Sequence, residues 1–372
     1  MRDGYKILGE FIRQVDVRNV EGKEENLLGV SVQKTFIPSI ANTNGTDFTK
    51  YKVVKKGQFT YIPDTSRRGD KIGIALLEDY DEGLVSNVYT VFEVIDENKL
   101  LPQYLMLWFS RPEFDRYARF KSHGSVREVM DWDEMCKVEL PVPEIEKQRE
   151  IVKAYRAITE RIELKKKIND NLEAQMTALF DELIISNDEF EFDESLDDRI
   201  DFVNGLAMQN FRPLESEVGI PVIKIRELTQ GYCDENSEFC SPSIDDSHII
   251  RSGDLVFSWS GSLQAAFWTA GTAGLNQHLF KVESSSYPKW FIYKWVLFHL
   301  LNFQRIAENK GTTFGHIKRE DLHAARIKKL NPDRIAKLNS LFDPILKALI
   351  CNSKELHDLM ELQKVLLSNL SR

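Results

Sequence analysis

The sequence predicts an α+β protein: two tandem mixed domains, each leading into a long helix, the two helices pairing antiparallel as a coiled coil in a pseudo-two-fold internal repeat. Three observations predict this. The chain matches itself at an offset of 187 residues, two heptad-patterned segments lie on that same offset, and short alternating apolar runs precede each helical segment. The division that follows is 1–143 for the first domain, 144–185 for the first long helix, 186–200 for an acidic linker, 201–330 for the second domain and 331–372 for the second long helix.

The repeat is clearest at the end of each half. Gly124-Ser125-Val126 falls on Gly311-Thr312-Thr313, Asp133-Glu134-Met135 on Glu320-Asp321-Leu322, and Val138-Glu139-Leu140 on Ala325-Arg326-Ile327. Upstream the offset changes, as differing loop lengths require: Gly57-Gln58-Phe59-Thr60-Tyr61-Ile62 resembles Gly253-Asp254-Leu255-Val256-Phe257-Ser258, and Pro102-Gln103-Tyr104 resembles Pro288-Lys289-Trp290. Within the first domain, Lys52-Val53-Val54, Phe59 to Ile62 and Tyr89 to Val94 read as strands. Leu105 to Tyr117 and, in the second domain, Trp290 to Asn309 read as helices.

From Glu144 to Leu183 neither Pro nor Gly interrupts a heptad pattern. Its a positions are Gln148, Tyr155, Ile162, Asn169, Met176 and Leu183, and its d positions Ile151, Ile158, Lys165, Leu172 and Leu179. The second copy has Ile335, Phe342, Leu349, Leu356, Gln363 and Leu370 at a, with Leu338, Ile345, Asn352, Leu359 and Leu366 at d. These residues are the expected interface of the helix pair. Both seams turn polar near the middle, at Lys165 and Asn169 and at Asn352, where a buried polar layer fixes register at some loss of stability. Each helix would run about 60 Å at 1.5 Å per residue. One domain precedes each helix, so antiparallel pairing is expected to set the domains at opposite ends. The alternative is two independent amphipathic helices, each packed on its own domain or on another chain; Pro344 and the Lys165-Lys166-Lys167 run speak for it. The stretch from Ser186 to Asp201, with eight acidic residues against Arg199 alone, reads as a solvated linker.

At 372 residues the chain exceeds the usual single-domain range, and 42% hydrophobic with 29% charged residues describes an ordinary globular composition. Lys and Arg number 49 against 58 Asp and Glu, and the net charge of −9 opposes coating of nucleic acid by bulk electrostatics while leaving local contact open. No apolar run reaches membrane-spanning length and Met1 to Tyr5 carries no signal-peptide core, so a cytoplasmic location without membrane contact is expected. Cys136, Cys233, Cys240 and Cys351 lack zinc-site or disulfide-framework spacing and are expected to be free thiols, with no metal bound.

Leu140-Pro141-Val142-Pro143-Glu144-Ile145-Glu146-Lys147-Gln148-Arg149-Glu150-Ile151-Val152 is the most specific local motif; its prolines give a sharp turn into the helix. With the domain–helix–domain–helix order, it resembles the specificity (S) subunit of Type I restriction-modification systems, over essentially the whole chain. The second copy, Ile327-Lys328-Lys329-Leu330-Asn331-Pro332, keeps one Pro and has Ile335 where Gln148 stands. Ile220 to Leu228, Gly253 to Ser258 and Leu275-Asn276-Gln277-His278-Leu279-Phe280 are similar to recurring segments of that family's target recognition domains. The resemblance implies a non-catalytic subunit in which each target recognition domain reads one half of a bipartite double-stranded DNA site and the helices set the gap. It further implies two modification (methyltransferase) subunits acting on adenine with S-adenosylmethionine and two ATP- and Mg-dependent restriction/translocase subunits, with no cofactor on this chain.

Candidate DNA contacts follow from residue type. Ser66, Arg67, Arg68 and Lys71 follow a strand and offer three cations beside Gly69, suited to guanine or phosphate. Lys121, Ser125 and Arg127 recur as Lys310, Thr312, Thr313 and His316, hydroxyls beside cations as a backbone-gripping loop needs. Ser258, Ser260, Ser262 and Gln264 supply uncharged donors for base edges, while Trp259 is as readily core and His278 reads as structural. The alternative for each loop is an exposed turn whose charges meet only water. Two other classes stay in view: a coiled-coil scaffold that does not bind DNA, and a metal-dependent nuclease built on Asp64 with Glu97 and Lys99, although phosphate-loop, HExxH and amino-methyltransferase motifs are missing.

Overall fold

Helix-compatible heptads and strand-compatible alternation sort the chain into two units, 1–160 with 362–372 and 161–361. The computed structural model describes residues 4–40, 45–65, 69, 71–122, 128–187, 191–309 and 315–370.

In the first unit, β1 (Tyr5–Ile7), β2 (Ile12–Val15), β3 (Leu28–Val30), β4 (Phe36–Pro38), β5 (Lys52–Lys55), β6 (Phe59–Ile62), β7 (Gly73–Leu76), β8 (Glu82–Val85) and β9 (Thr90–Val94) come first. They are followed by α1 (Pro102–Phe109), α2 (Pro112–Lys121), α3 (Trp132–Cys136), β10 (Glu139–Pro141) and the start of α4 (Ile145–Phe180). An antiparallel sheet runs β2-β9-β6-β7, β3 pairs with β4, β5 with β8, and β1 with β10. Phe59 stacks on Phe92 across the β6–β9 pair at 4.8 Å between ring centroids, and Phe109 of α1 meets both edge-on. The single helix expected over Leu105 to Tyr117 is two. Pro112 holds Arg111 in extended backbone (φ −75°, ψ 139°), which ends α1 and makes the proline the first residue of α2.

The second unit carries β11 (Phe192–Ser195), β12 (Asp201–Asn204), β13 (Ile220–Ile223), α5 (Ile225–Gln230), β14 (Phe239–Cys240), β15 (Ile249–Ile250), β16 (Leu255–Ser258), β17 (Ala265–Phe267), β18 (Ala273–Leu275) and β19 (Leu279–Glu283). Then come α6 (Lys289–Asn309), α7 (Arg319–Ala324), β20 (Arg326–Lys328) and α8 (Pro332–Asn369). Its main sheet runs β12-β19-β16-β17, strand for strand the counterpart of β2-β9-β6-β7, and β11–β20 answers β1–β10. The offset of 187 carries the start of α3 onto α7, of β10 onto β20 and of α4 onto α8. A second sheet, β14-β13-β18-β15, includes the parallel pair β13–β18 and has no counterpart among the described residues of the first unit.

Both long helices contribute to both units. In the first, Ile151, Val152 and Tyr155 of α4 pack on the domain core with Leu367 and Leu370, and Gln363 Nε2 donates to Thr159 Oγ1 at 2.9 Å. In the second, Lys165 Nζ lies 2.7 Å from Asn352 Oδ1 and 2.6 Å from Glu355 Oε2, Arg161 also pairs with Glu355, and Asn169 donates to Ser353 at 3.3 Å. Farther along, Met176 and Phe180 share a core with Leu338, Phe342 and Leu346. Numbers rise on α4 as they fall on α8 in each unit, so the helices run antiparallel. Every residue of the expected seam, from Ile151, Tyr155, Ile158 and Ile162 to Leu356, Leu359 and Leu366, is buried or half-buried. Trp290 of α6 stacks on Phe342 of α8 at 4.2 Å and donates its indole N–H to Asn339 Oδ1 at 2.6 Å, joining domain to helix.

The acidic stretch is not solvated throughout. After α4 a wider turn, Asp181–Ile185, closes with Ser186 N–H donating to the Asp181 carbonyl at 2.8 Å, and buried Lys328 caps the carbonyls of Ile185 and Asn187 at 2.8 and 2.9 Å. The chain then forms β11, Leu196 and Ile200 enter the core, and Glu194 is held by Tyr287 and by Arg199 at 2.8 Å. Apolar residues interleaved among the carboxylates supply the burial that charge counting overlooks. All four cysteines are unpaired.

Candidate nucleic-acid interface

β6 and β16 occupy equivalent places, and the residues just after each are tied to the segment just before α3 and α7. In the first unit Thr65 N–H donates to the Glu128 carbonyl at 3.1 Å and Met130 N–H to the Pro63 carbonyl at 3.0 Å, around an antiparallel bridge of Asp64 with Val129. In the second, Gly261 N–H donates to the Gly315 carbonyl at 2.9 Å and Ile317 N–H to the Trp259 carbonyl at 3.0 Å, around the bridge of Ser260 with His316. The same two-stranded anchor is thus built twice. Pro63 falls on Trp259 by the relation that puts Gly57 on Gly253, and Glu128 on Gly315 by the offset of the helices.

Side chains reinforce the first anchor. Thr65 Oγ1, buried, donates to Ser122 Oγ at 2.9 Å, and Ser122 Oγ in turn donates to the Ala118 carbonyl of α2 at 2.7 Å. The segments that sequence reading nominated separately, 66–71 and 121–127, therefore leave from one hydrogen-bonded place. Ser66, Arg67, Arg68, Ser125 and Arg127 lie outside the described residues, as do Lys310, Thr312 and Thr313 in the second unit. Lys71 is exposed, and Lys121, half-buried beside Tyr117, has its Nζ 3.8 Å from Glu134.

The second unit divides its nominated residues between support and surface. Ser258 is 0% exposed and donates to the Ser260 carbonyl at 3.0 Å, so it shapes the turn and does not reach a base edge. Gln264 Nε2 is taken by Thr229 Oγ1 at 2.5 Å, and buried Ser260 shares a hydrogen bond of 3.1 Å with His278 Nδ1. Ser262 is exposed and His316 half-exposed. Trp259, His278 and His316 line a pocket of about 450 Å³ with Ile225, and the indole N–H of Trp259 is buried without an acceptor. Sequence reading missed Thr65 and Glu128, which flank the nominated segments, and included Ser122 in the second segment without giving it this anchoring role.

Among the described residues, the group of His, Cys, Asp and Glu within joint metal-ligating reach is Asp197, Asp198 and His323, where His323 Nδ1 lies 2.9 Å from Asp197 Oδ1. Asp64 and Glu97 form no such group there. What each anchor offers chemically is a fixed base for a loop carrying cations and hydroxyls, the donor set that phosphates and base edges accept.

Comparison with known proteins gives three findings. Residues 9–174 match the family model of the Type I restriction modification DNA specificity domain. The Type I restriction enzyme MjaIX specificity subunit of Methanocaldococcus jannaschii is 25% identical over 301 residues, covering 74% of this chain and 70% of that protein, and the Escherichia coli EcoBI specificity subunit is 29% identical over 101 residues, covering 27% and 21%. The fold is also similar to the crystal structure of a Type-I restriction-modification system S subunit from M. genitalium, with TM-score 0.60 and 11% identity, covering 99% of this chain and 96% of the other.

Proposed function

We propose that the chain, whose residues 9–174 match the Type I restriction modification DNA specificity domain, is a specificity subunit of that family and that each of its units reads one half of a bipartite site in double-stranded DNA. The observation that carries the reading is the duplicated anchor: each unit ties the segments flanking loops of similar donor chemistry at the equivalent place in its own sheet. Lys71 and Lys121 in the first unit, together with Ser66, Arg67, Arg68, Ser125 and Arg127, grip phosphates and base edges. In the second unit Ser262 and His316, with Lys310, Thr312 and Thr313, have that role, while Ser258, Ser260 and Gln264 hold the loop in shape.

The helix pair sets the unread gap. α4 alone spans 36 residues, about 54 Å at 1.5 Å per residue, which bounds the separation near 16 base pairs at about 3.4 Å each. Leu164, Leu341, Leu362 and Val365 leave apolar surface exposed on the helices, and two modification subunits dock there. Those subunits supply S-adenosylmethionine and the methyl transfer to adenine, and two restriction subunits supply ATP- and Mg-driven translocation; this chain contributes no catalytic group. Because it carries a net charge of −9, tight DNA binding appears only once partner subunits add basic surface, and tight selective binding by the chain alone would contradict this.

The test is sequencing of N6-methyladenine in cells with the neighbouring methyltransferase gene, with and without this gene. Methylation at a split motif only when this chain is present is the expected result. An unchanged pattern, with the modification subunit still captured by the chain, would leave a scaffold and refute the reading.

A further inference from the structure

A cavity of about 560 Å³ in the first unit is lined by Tyr5, Trp108, Arg111, Phe114, Tyr117 and Lys121. Arg111 is its anomaly. The residue is 4% exposed, its guanidinium lies 4.2 Å from the Trp108 ring centroid, and its Nε is buried with no hydrogen-bond partner. Glu113 is the paired anion, and its Oε2 stands 3.6 Å from Nε, beyond hydrogen-bond range. Burial pushes the guanidinium pKa down, yet an arginine keeps its charge and five N–H donors. Burying that Nε–H with no acceptor in hydrogen-bond range is unfavourable unless something arrives to accept. Its position is also fixed, because Pro112 sets the Arg111 backbone.

The lining decides what arrives. Lys121 and Lys137 are both engaged by Glu134, at 3.8 and 2.6 Å, which leaves Arg111, with Glu113 at 3.6 Å, as the lining cation whose charge is least matched. A row of DNA phosphates would meet the Glu113 and Glu139 carboxylates, whereas a single anion needs only the Arg111 guanidinium. The rings of Trp108, Phe114 and Tyr117 suit an apolar or aromatic body, and the volume is that of a small-molecule site.

We propose that this cavity binds a free small carboxylic acid with an apolar or aromatic body, its carboxylate taken by the Arg111 fork. The inference rests on Arg111 and its ring neighbours; Lys121 also lines the cavity and is shared with the proposed phosphate contacts. The test uses 3-phenylpropionate and its neutral amide with the full chain, followed by ligand-observed NMR. The acid binds at least about tenfold more tightly than the amide, as loss of a charge-assisted bidentate contact implies. Arg111→Met, similar in length and still covering Trp108, abolishes that preference without lowering the melting temperature. Should the variant fail to fold, the acid–amide comparison on the unaltered chain decides alone. Equal binding of the two, or binding of neither at roughly 10 mM, where a fragment of this size ordinarily occupies its site, overturns the proposal. So does loss of acid binding when the modification subunits are added, which would make the cavity a partner contact.

Discussion

Replacing Gln148 by Leu should destabilise the first unit selectively. Gln148 is 0% exposed and uses its whole amide: Oε1 accepts from Leu101 N–H at 2.9 Å, and Nε2 donates to the carbonyls of Lys99 and Pro143, both at 2.8 Å. These bonds tie the first turn of α4 to the chain entering α1. Leucine fills the volume but takes their partner from the N–H of half-buried Leu101 and from the carbonyls of exposed Lys99 and half-buried Pro143. At about 1–3 kcal/mol for each orphaned group, with some relief from water, the loss is about 3–6 kcal/mol, a large share of a domain stability of about 5–15 kcal/mol. Urea unfolding followed by fluorescence of the first unit's Trp108 and Trp132 measures it, and amide exchange at Leu101 reports the bond directly. The second unit is the internal control, since its equivalent position is half-buried Ile335, which has no amide to lose. A loss below about 1 kcal/mol, or unchanged protection of the Leu101 amide, would refute the argument that this amide holds helix to domain.

Other outcomes follow from the same structure. Burial lowers the pKa of His299 although the Arg326 carbonyl, 2.9 Å from its Nε2, opposes the shift, so the unfolded chain binds that proton more readily. Stability of the second unit is full above the ordinary histidine value of 6.5 and falls as pH drops through it toward the lowered folded value; His299→Gln flattens this trend in melting temperature between pH 5 and 8. Within the assembled complex, Lys71→Ala and Lys121→Ala each reduce the salt slope of DNA binding by about 0.9, seen by fluorescence titration over a salt series; an unchanged slope removes that lysine from the phosphate contacts. Four residues inserted next to Lys165 lengthen the helix by about 6 Å and widen the unread gap by about two base pairs with both half-sites kept, read by methylome sequencing; an unchanged gap defeats the ruler. Exchange of residues 1–143 for another family member's first domain changes one half-site only, and loss of both contradicts modular reading.

What the sequence made legible is what periodicity and repetition record. The offset of 187 locates α7, β20 and α8 from α3, β10 and α4 because each helix must meet its own domain in one register. The polar layer was readable too: Lys165 and Asn352 stand in the seams and do meet. The break between α1 and α2 was present in Pro112 but hidden by apolar residues that continue the helical period through it. β11 escaped because carboxylates outnumber the apolar residues that bury it. At the candidate interface, residue type named Ser258 and Gln264 as donors but carried no information on direction, and both point their hydrogen bonds inward. The bond between Thr65 and Ser122 was invisible because it joins residues far apart in sequence.

The return of α8 to the first unit bears on the order in which the chain matures. Leu370, 7% exposed, and Leu367 complete a core whose other members lie within residues 5–155. During synthesis at about 5–20 residues per second, that core waits many seconds for its closing side chains, while the unit of residues 161–361 needs no segment made later than itself. The part made first is therefore finished last, and a nascent chain passes through a stage in which its later half is sealed and its earlier half still shows apolar surface to chaperones and proteases.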